Sequence, residues 1–411
     1  MMNTPATNIV VTPWRAYVGT FFGLVVLALL AVSTLNYLVD PYLIHQWDSP
    51  LLQRMRPTRE KLSAWGKTYV LAKYRPAVVY IGNSRTELGL PTSAPELFEG
   101  KTVFNAALSG ASVGDAIAMV GHAARVGRLD TVVWGIDAPS FSMATGSAGL
   151  EPELTAPGPL FFARRALLNV KRGLTVDMTG DALRVLNGSF GKVCRSSLAF
   201  YGQRDDSCIS DRISGWGGTS AAMGPRLGEF GRGDGPTTAA MAAFGTSVGN
   251  LCKAGTRVRL YINPTHALTL DVLYWSGKWP AMEQWQRGLA LLGERRRAAG
   301  CDLRIFDFSG YNSITSEPIP QVSQRREMAH YWEASHYRTS VGSLILNRIF
   351  HGVEPVPDDF GIELDTTMLP AHVAALRSSR ERYHLDHAQE TAFAKAIVDG
   401  RGDVNGKHAL K

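Results

Sequence analysis

Residues 16–39, AYVGTFFGLVVLALLAVSTLNYLV, hold 24 positions without a charged side chain. Such a run has few places to go. As a helix it is long enough to cross the roughly 30 Å hydrocarbon core of a bilayer, and a helix satisfies its own backbone polar groups there. Trp14, Tyr17 and Tyr37 stand near its ends, where amphipathic rings settle at the membrane–water boundary. Arg15 precedes the run, whereas Asp40 and Asp48 follow it before any Lys or Arg. This bias predicts residues 1–15 in the cytoplasm, 16–39 as a transmembrane anchor and the rest outside. A cleaved signal peptide is the rival reading, but the run is longer than a usual h-region and no convincing A-x-A site follows. A buried helix of a soluble protein is the third.

The remainder must make its own core in water. With 411 residues, 45% of them hydrophobic and 19% charged, the chain has the material for one large domain or two ordinary ones. Its net charge of +7 is modest for that length. No aromatic-interleaved basic stripe, zinc spacing or helix-turn-helix pattern points to nucleic acid. A bland basic surface, or attraction to anionic lipid or polysaccharide, fits the charge better. No spacing suggests a metal site, and no cofactor is expected. An even count of cysteines permits disulfides outside the cytoplasm, with Cys194–Cys208 and Cys252–Cys301 as possible pairs. Four ordinary thiols are the alternative.

Beyond a polar connector (40–73), five β-forming runs alternate with helical patterns. The strands are read at 77–82, 101–108, 130–137, 257–263 and 302–308. Amphipathic helices are read at 113–126, 281–299 and 340–350. The second of these ends in Arg295, Arg296 and Arg297 before Gly300, as suits a helix C-terminus. The alternation argues for an α/β fold with a five-stranded parallel sheet over 74–351, covered on both faces. Between the third and fourth strands lie about 115 residues, far more than a crossover needs. This insertion (141–250) has a half-basic helical stretch at 161–174. It should be loop-rich from 215 to 249, where ten glycines fall in 35 residues. It leaves the carboxyl edge of the sheet and should overhang a site there; a decorative insertion is the alternative. The tail (352–411) holds one predicted helix, at 370–383, followed by a polar end expected to lack structure.

Open α/β sheets bind ligands beyond the carboxyl ends of their strands. That rule draws attention to VVYIGNSRTELGL (78–90), in which Ser84 follows directly on the first strand. A serine nucleophile needs a base in reach, an acid to orient the base, and donors for the oxyanion. His336, in YWEASHYRTSVG, precedes the last helix and so belongs to the same edge. Glu333 lies three residues before it, a spacing that lets a carboxylate on a turn reach the imidazole Nδ1.

GNSRT, NAALSGAS and the late ExxHY…VG, in this order, resemble the SGNH (GDSL-like) hydrolase superfamily. More narrowly they resemble its membrane-anchored branch, associated with acylation of bacterial exopolysaccharides such as alginate. The resemblance implies a flavodoxin-like three-layer fold and a Ser-His-acid site acting on esters, often acetyl groups on sugars. It makes Ser84 the nucleophile, His336 the base and Glu333 the acid, with Glu standing where the family usually has Asp. The N–H groups of Ser84 and Gly110 would be two oxyanion donors. The family's third donor is an Asn in a Gly-x-Asn-Asp block after the third strand; GIDAPSF (135–141) has Asp137 there, which cannot donate when ionised. Asn263, at the end of the fourth strand, is a candidate replacement. Arg85 would hold an acidic substrate or pair with Asp137, itself a substrate-binding candidate, and His266, in YINPTHA, would contact substrate or be structural. The implied protein is a single-pass bacterial inner-membrane enzyme with a periplasmic domain, acting on a glycan beside a membrane-bound acyl-donor transferase. O-Acetyltransferase and acetylesterase are not separated by these residues. A catalytically degenerate glycan-binding or assembly component and a lipid-directed esterase are the other readings; the last predicts an apolar groove under the 141–250 insertion.

Overall fold

The computed structural model describes residues 14–45, 64–144, 146–155, 158, 160–187, 201–204, 206–233, 235–320 and 327–400. The chain divides into two compact units, one of residues 1–59 and 160–191, the other of 60–159 and 192–411.

The first unit is built on helix α1 (Trp14–Val39), which is long and apolar enough to cross a membrane and whose most apolar stretch is exposed. Helices α5 (Phe161–Gly173) and α6 (Val176–Leu186) belong to the same unit. The 161–174 helical expectation thus holds, but this part of the insertion groups with the apolar helix rather than with the sheet.

The second unit is an α/β domain around one mixed sheet. Strands β1 (Val78–Ile81), β2 (Val103–Asn105), β3 (Thr131–Ile136), β4 (Arg257–Ile262), β5 (Leu303–Asp307) and β6 (Ile362–Glu363) lie in the order β2-β1-β3-β4-β5-β6. Neighbours from β2 through β5 pair in parallel, and β6 adds antiparallel to β5. The expectation of a five-stranded, wholly parallel sheet ending at residue 351 is therefore corrected to a six-stranded mixed one. A two-residue strand has no periodicity to read. β6 is held across the sheet by Arg304, whose Nε and Nη2 donate to the Glu363 carboxylate at 3.0 and 2.6 Å.

The strands read as nearly continuous apolar runs because both faces are covered. On one face Tyr80, Val133, Tyr261 and Phe306 pack with Val341 and Ile345 of α12 (Thr339–Phe350). On the other, Trp134 meets Phe244 edge to face at 4.8 Å. Phe244 belongs to α9 (Thr238–Lys253), which with α4 (Val113–Val126) and α11 (Trp279–Ala298) packs on that side. The Cys252–Cys301 pair is a disulfide with Cα atoms 5.1 Å apart, joining the approaches to adjacent strands β4 and β5. Closing a loop of 49 residues, it stabilises by about 4 kcal/mol in the chain-entropy picture. Cys194 lies outside the described residues, and with it the Cys194–Cys208 pairing.

Three stretches depart from the sequence expectations. Residues read as connector contain α2 (Ala64–Tyr74), whose Lys67 is completely buried. The glycine-rich part of the insertion is mainly helical, as α8 (Thr219–Arg232) and α9. Its helical glycines are packing positions: a Cβ on Gly245 would stand 3.3 Å from Leu292 of α11, and one on Gly249 2.6 Å from the Arg296 guanidinium. The polar end of the tail forms a helix after α13 (Leu369–Asp386), namely α14 (Ala388–Val398). Its Ala394 and Ile397 close an apolar cluster with Met223 and Leu227 of α8 and with Ala267 and Leu268 of α10 (Ala267–Trp275).

Candidate active site

β1 ends at Ile81, and the chain turns on Gly82, whose φ of +152° suits glycine. A side chain there would run into Thr86 and the Gly135 carbonyl. Asn83 then caps α3 (Ser84–Gly89), its Oδ1 accepting from the Arg85 N–H at 3.1 Å. Ser84 is thereby the first residue of a helix, at the carboxyl edge of the sheet.

The base arrives on a tight turn. Tyr331 and Tyr337 form an antiparallel bridge, and the Trp332 N–H donates to the His336 carbonyl at 2.9 Å. Glu333, Ala334 and Ser335 are the tip of that turn, so the Glu333 side chain folds back on the imidazole. His336 Nδ1 donates to Glu333 Oε1, and His336 Nε2 accepts from Ser84 Oγ at 2.7 Å. Ser335 fastens the acid, donating its N–H to Glu333 Oε2 at 2.8 Å and its Oγ–H to Oε1 at 3.0 Å. Arg226 of α8 brings its Nε to 3.7 Å from Glu333 Oε1.

Glu333 is buried, and burial alone would favour its neutral form; His336, Arg226 and the Ser335 N–H outweigh this and hold its pKa down at about 2. His336 is pushed below the ordinary histidine value by burial, against the pull of Glu333, with Arg226 and Arg85 adding in the same direction as burial. At neutral pH the pair is therefore a neutral imidazole oriented by a carboxylate. Nε2 is free to accept a proton from Ser84.

Ser84, Gly110 and His336 line one cleft of about 500 Å³, together with Arg85, Arg204 and Arg226. Neither the Ser84 nor the Gly110 N–H has a hydrogen-bond partner among the described residues. Gly110 has a φ of +74° and backs onto Ser147, where a side chain would collide. Its loop is held from both ends. Ser112 and Asp115 form a capping box at the start of α4. On the other side Glu87 of α3 accepts from the Ser109 N–H at 3.0 Å and from its Oγ–H. Glu87 is in turn paired with buried Lys67 at 2.8 Å, and Arg204 donates to Ser109 Oγ at 2.6 Å. Burial opposes the charge on Glu87, but Lys67 and Arg204 dominate and hold its pKa at about 2. Sequence reading missed Lys67 and Glu87, because neither has a motif and a lysine in a polar stretch reads as exposed.

Three candidates do not reach the cleft as expected. Asp137 is buried and accepts from Asn83 Nδ2 at 2.7 Å, Arg85 Nη1 at 3.1 Å and Asn263 Nδ2 at 3.1 Å. It is thus the centre of a structural network rather than a substrate contact. Asn263 fails as an oxyanion donor for the same reason. Its amide is turned to Asp137 and the Ile136 carbonyl, and its Oδ1 accepts from Tyr337 OH at 3.0 Å. His266 is fully buried, its Nε2 within 2.7 Å of the Glu317 carbonyl and its Nδ1 capping α10 through the Leu268 N–H. What His266 gives the site is its backbone, an N–H donated at 3.0 Å to the Ala334 carbonyl in the Glu333 turn. Arg85 does line the cleft, stacked 4.7 Å over Phe230, but with one nitrogen on Asp137. From the insertion, Arg204, Arg212 of α7 (Asp206–Gly215), Arg226 and Glu229 form one wall of the cleft.

No group of His, Cys, Asp and Glu among the described residues is arranged to hold a metal ion. No protein-family model matches this chain, and no curated protein is similar to it in sequence.

Proposed function

We propose that this protein is a membrane-anchored serine acyl-transfer enzyme of the SGNH type, an O-acetyltransferase or acetylesterase acting on a cell-surface or exopolysaccharide glycan. The observation that carries the reading is the unbroken chain from Ser84 Oγ through His336 to Glu333, brought together from residues 252 apart. Ser84 attacks the acyl carbonyl while His336 Nε2 takes its proton. The Ser84 and Gly110 N–H groups receive the charge that develops on the carbonyl oxygen. His336 passes the proton to the departing alcohol, leaving Ser84 acylated. A sugar hydroxyl, or water, then gives its proton to His336 and takes the acyl group, and His336 returns that proton to Ser84 Oγ as the acyl–Oγ bond breaks. The order β2-β1-β3-β4-β5 within the sheet supports the flavodoxin-like assignment. The apolar helix α1 supports single-pass anchoring with the sheet domain outside the bacterial inner membrane, where a membrane-bound acyl-donor transferase would be a partner.

The occupied amide of Asn263 favours a second reading, in which the site is degenerate and the domain binds glycan as an assembly component. A lipid-directed esterase is not favoured, because arginines and Glu229 face the cleft from the insertion side. The test is turnover of an aryl acetate by the full chain in detergent. The first reading expects hydrolysis that Ser84→Ala abolishes. Equal rates in the two proteins contradict it, and no turnover by either, with glycan binding retained, moves the assignment to the second.

A further inference from the structure

Helix α5 is built inside out for a helix in water. At about 100° per residue, Phe162, Ala163, Ala166, Leu167 and Val170 share one arc of its surface. All five are exposed, Phe162 at 78%. Arg165 is turned the other way and is only 6% exposed, stacked over the Phe161 ring at 5.3 Å. Arg164 and Lys171, both exposed, border the apolar arc. The pattern continues through Leu174 into α6, where Val176, Leu183 and Leu186 are exposed. Soluble surfaces rarely present so continuous an apolar patch.

The hairpin is fastened to the last turns of α1 in the same unit. Asn36 Nδ2 donates to the Gly173 carbonyl at 2.8 Å and approaches Thr179 Oγ1 at 2.9 Å. Leu35 and Val39 pack on Ala182 and Val185, and Tyr42 OH donates to Asp181 at 2.8 Å. At 1.5 Å per residue, Asn36 is about 5 Å from the end of α1. That is the depth, about 5–10 Å, at which amphipathic helices settle in a lipid interface.

We infer that the α5–α6 hairpin is a second membrane element, lying in the lipid–water interface of the bilayer that α1 crosses. The apolar stripe of Phe162, Leu167, Val170 and Val176 enters the acyl region, and Arg164 and Lys171 stand at the phosphates. The inference rests on α1 being a membrane span. Lipid is the occupant because the stripe belongs to the same unit as the exposed apolar surface of α1, to whose last turns the hairpin is fastened, and is edged by cations, as an anionic bilayer surface requires.

The test is lipid photocrosslinking of the full chain, reconstituted in vesicles of phosphatidylethanolamine and phosphatidylglycerol that carry a diazirine on the acyl chain. Adducts are mapped by peptide mass. Adducts are expected in α1 and in residues 162–176, and absent from the buried helix Ala267–Trp275. A triple variant, Leu167→Ser, Val170→Ser and Val176→Ser, changes only exposed positions and should lose the hairpin adducts while keeping those of α1. Adducts in α1 alone overturn the inference and leave the anchor intact; adducts in neither overturn both. Undiminished hairpin adducts in the variant also overturn it, because the stripe would then not be the contact.

Discussion

Glu333 and Asp137 are both buried carboxylates at the carboxyl edge of one sheet, each near an arginine and each bonded to a side chain that lines the cleft. Their surroundings give them different roles. Glu333 sits on a turn and faces a titratable ring, so its charge orients and stabilises an imidazole whose other nitrogen meets Ser84. Asp137 faces two amides and a guanidinium, none of which can pass a proton onward, and it occupies an N–H of each amide. Both are carboxylates and both are buried. What differs is whether the partner can take up and release a proton at an atom that meets Ser84.

Substitutions can break or sharpen this contrast. Ser84→Ala removes the proposed nucleophile, and a loss on the order of 10⁶-fold in kcat is expected from serine enzymes of this logic; a residual rate near wild type would end the account. Glu333→Gln should lower kcat by about 10⁴-fold with little change in KM, since an amide both fails to stabilise the imidazolium and can hold the wrong tautomer. Asp137→Asn should act on the other axis. It leaves Arg85 without its carboxylate and sets amide against amide, so a loss of about 3 kcal/mol is expected in denaturant melts. If Asp137→Asn instead spared stability and abolished kcat, the contrast would be wrong, and Asp137 would belong to the chemistry.

The pH profile tests the Glu333–His336 side of the contrast. His336 must be neutral to accept the Ser84 proton, and its pKa is displaced downward by burial. Activity should therefore be fully present above the ordinary histidine value near 6.5 and lost only as pH falls through the lower folded value. A limb of kcat/KM above pH 7 would contradict this placement of the imidazole. The smallest effect is expected from His266→Ala, which removes a cap on α10 but keeps the backbone N–H that holds the Glu333 turn. It should cost about 1–2 kcal/mol of stability and leave kcat nearly unchanged; a KM increase alone would restore His266 to the substrate side.

The site was legible in the sequence where local rules set it. A β-run ending at Gly82 puts Ser84 directly after a strand, and Glu-x-x-His on a turn lets the acid reach the base; the Asn83 cap and the short helix it starts were not read. Asn263 and Asp137 were not legible. Their pairing depends on β3 and β4 being neighbours, and nothing within YINPTHA reveals that the amide is already taken. The same holds for Lys67, whose burial follows from Glu87 and the Ala107 carbonyl, both distant in sequence. The strands β1–β5 of the mixed sheet followed from their apolar runs, whereas β6, two residues paired antiparallel to β5, has no such run to read. The glycines of 215–249 misled because glycine serves loops by its freedom and helices by its small size. Gly245 and Gly249, four residues apart, are the second kind.

The central claim is that Ser84 becomes acylated. The direct measurement is the intact mass, then the peptide map, of the full chain and its Ser84→Ala variant after brief exposure to an activated acetyl ester and acid quench. One acetyl group per chain, on Ser84 and absent from the variant, is the predicted result. Equal acetylation of both proteins, or none on a folded wild type, would contradict it.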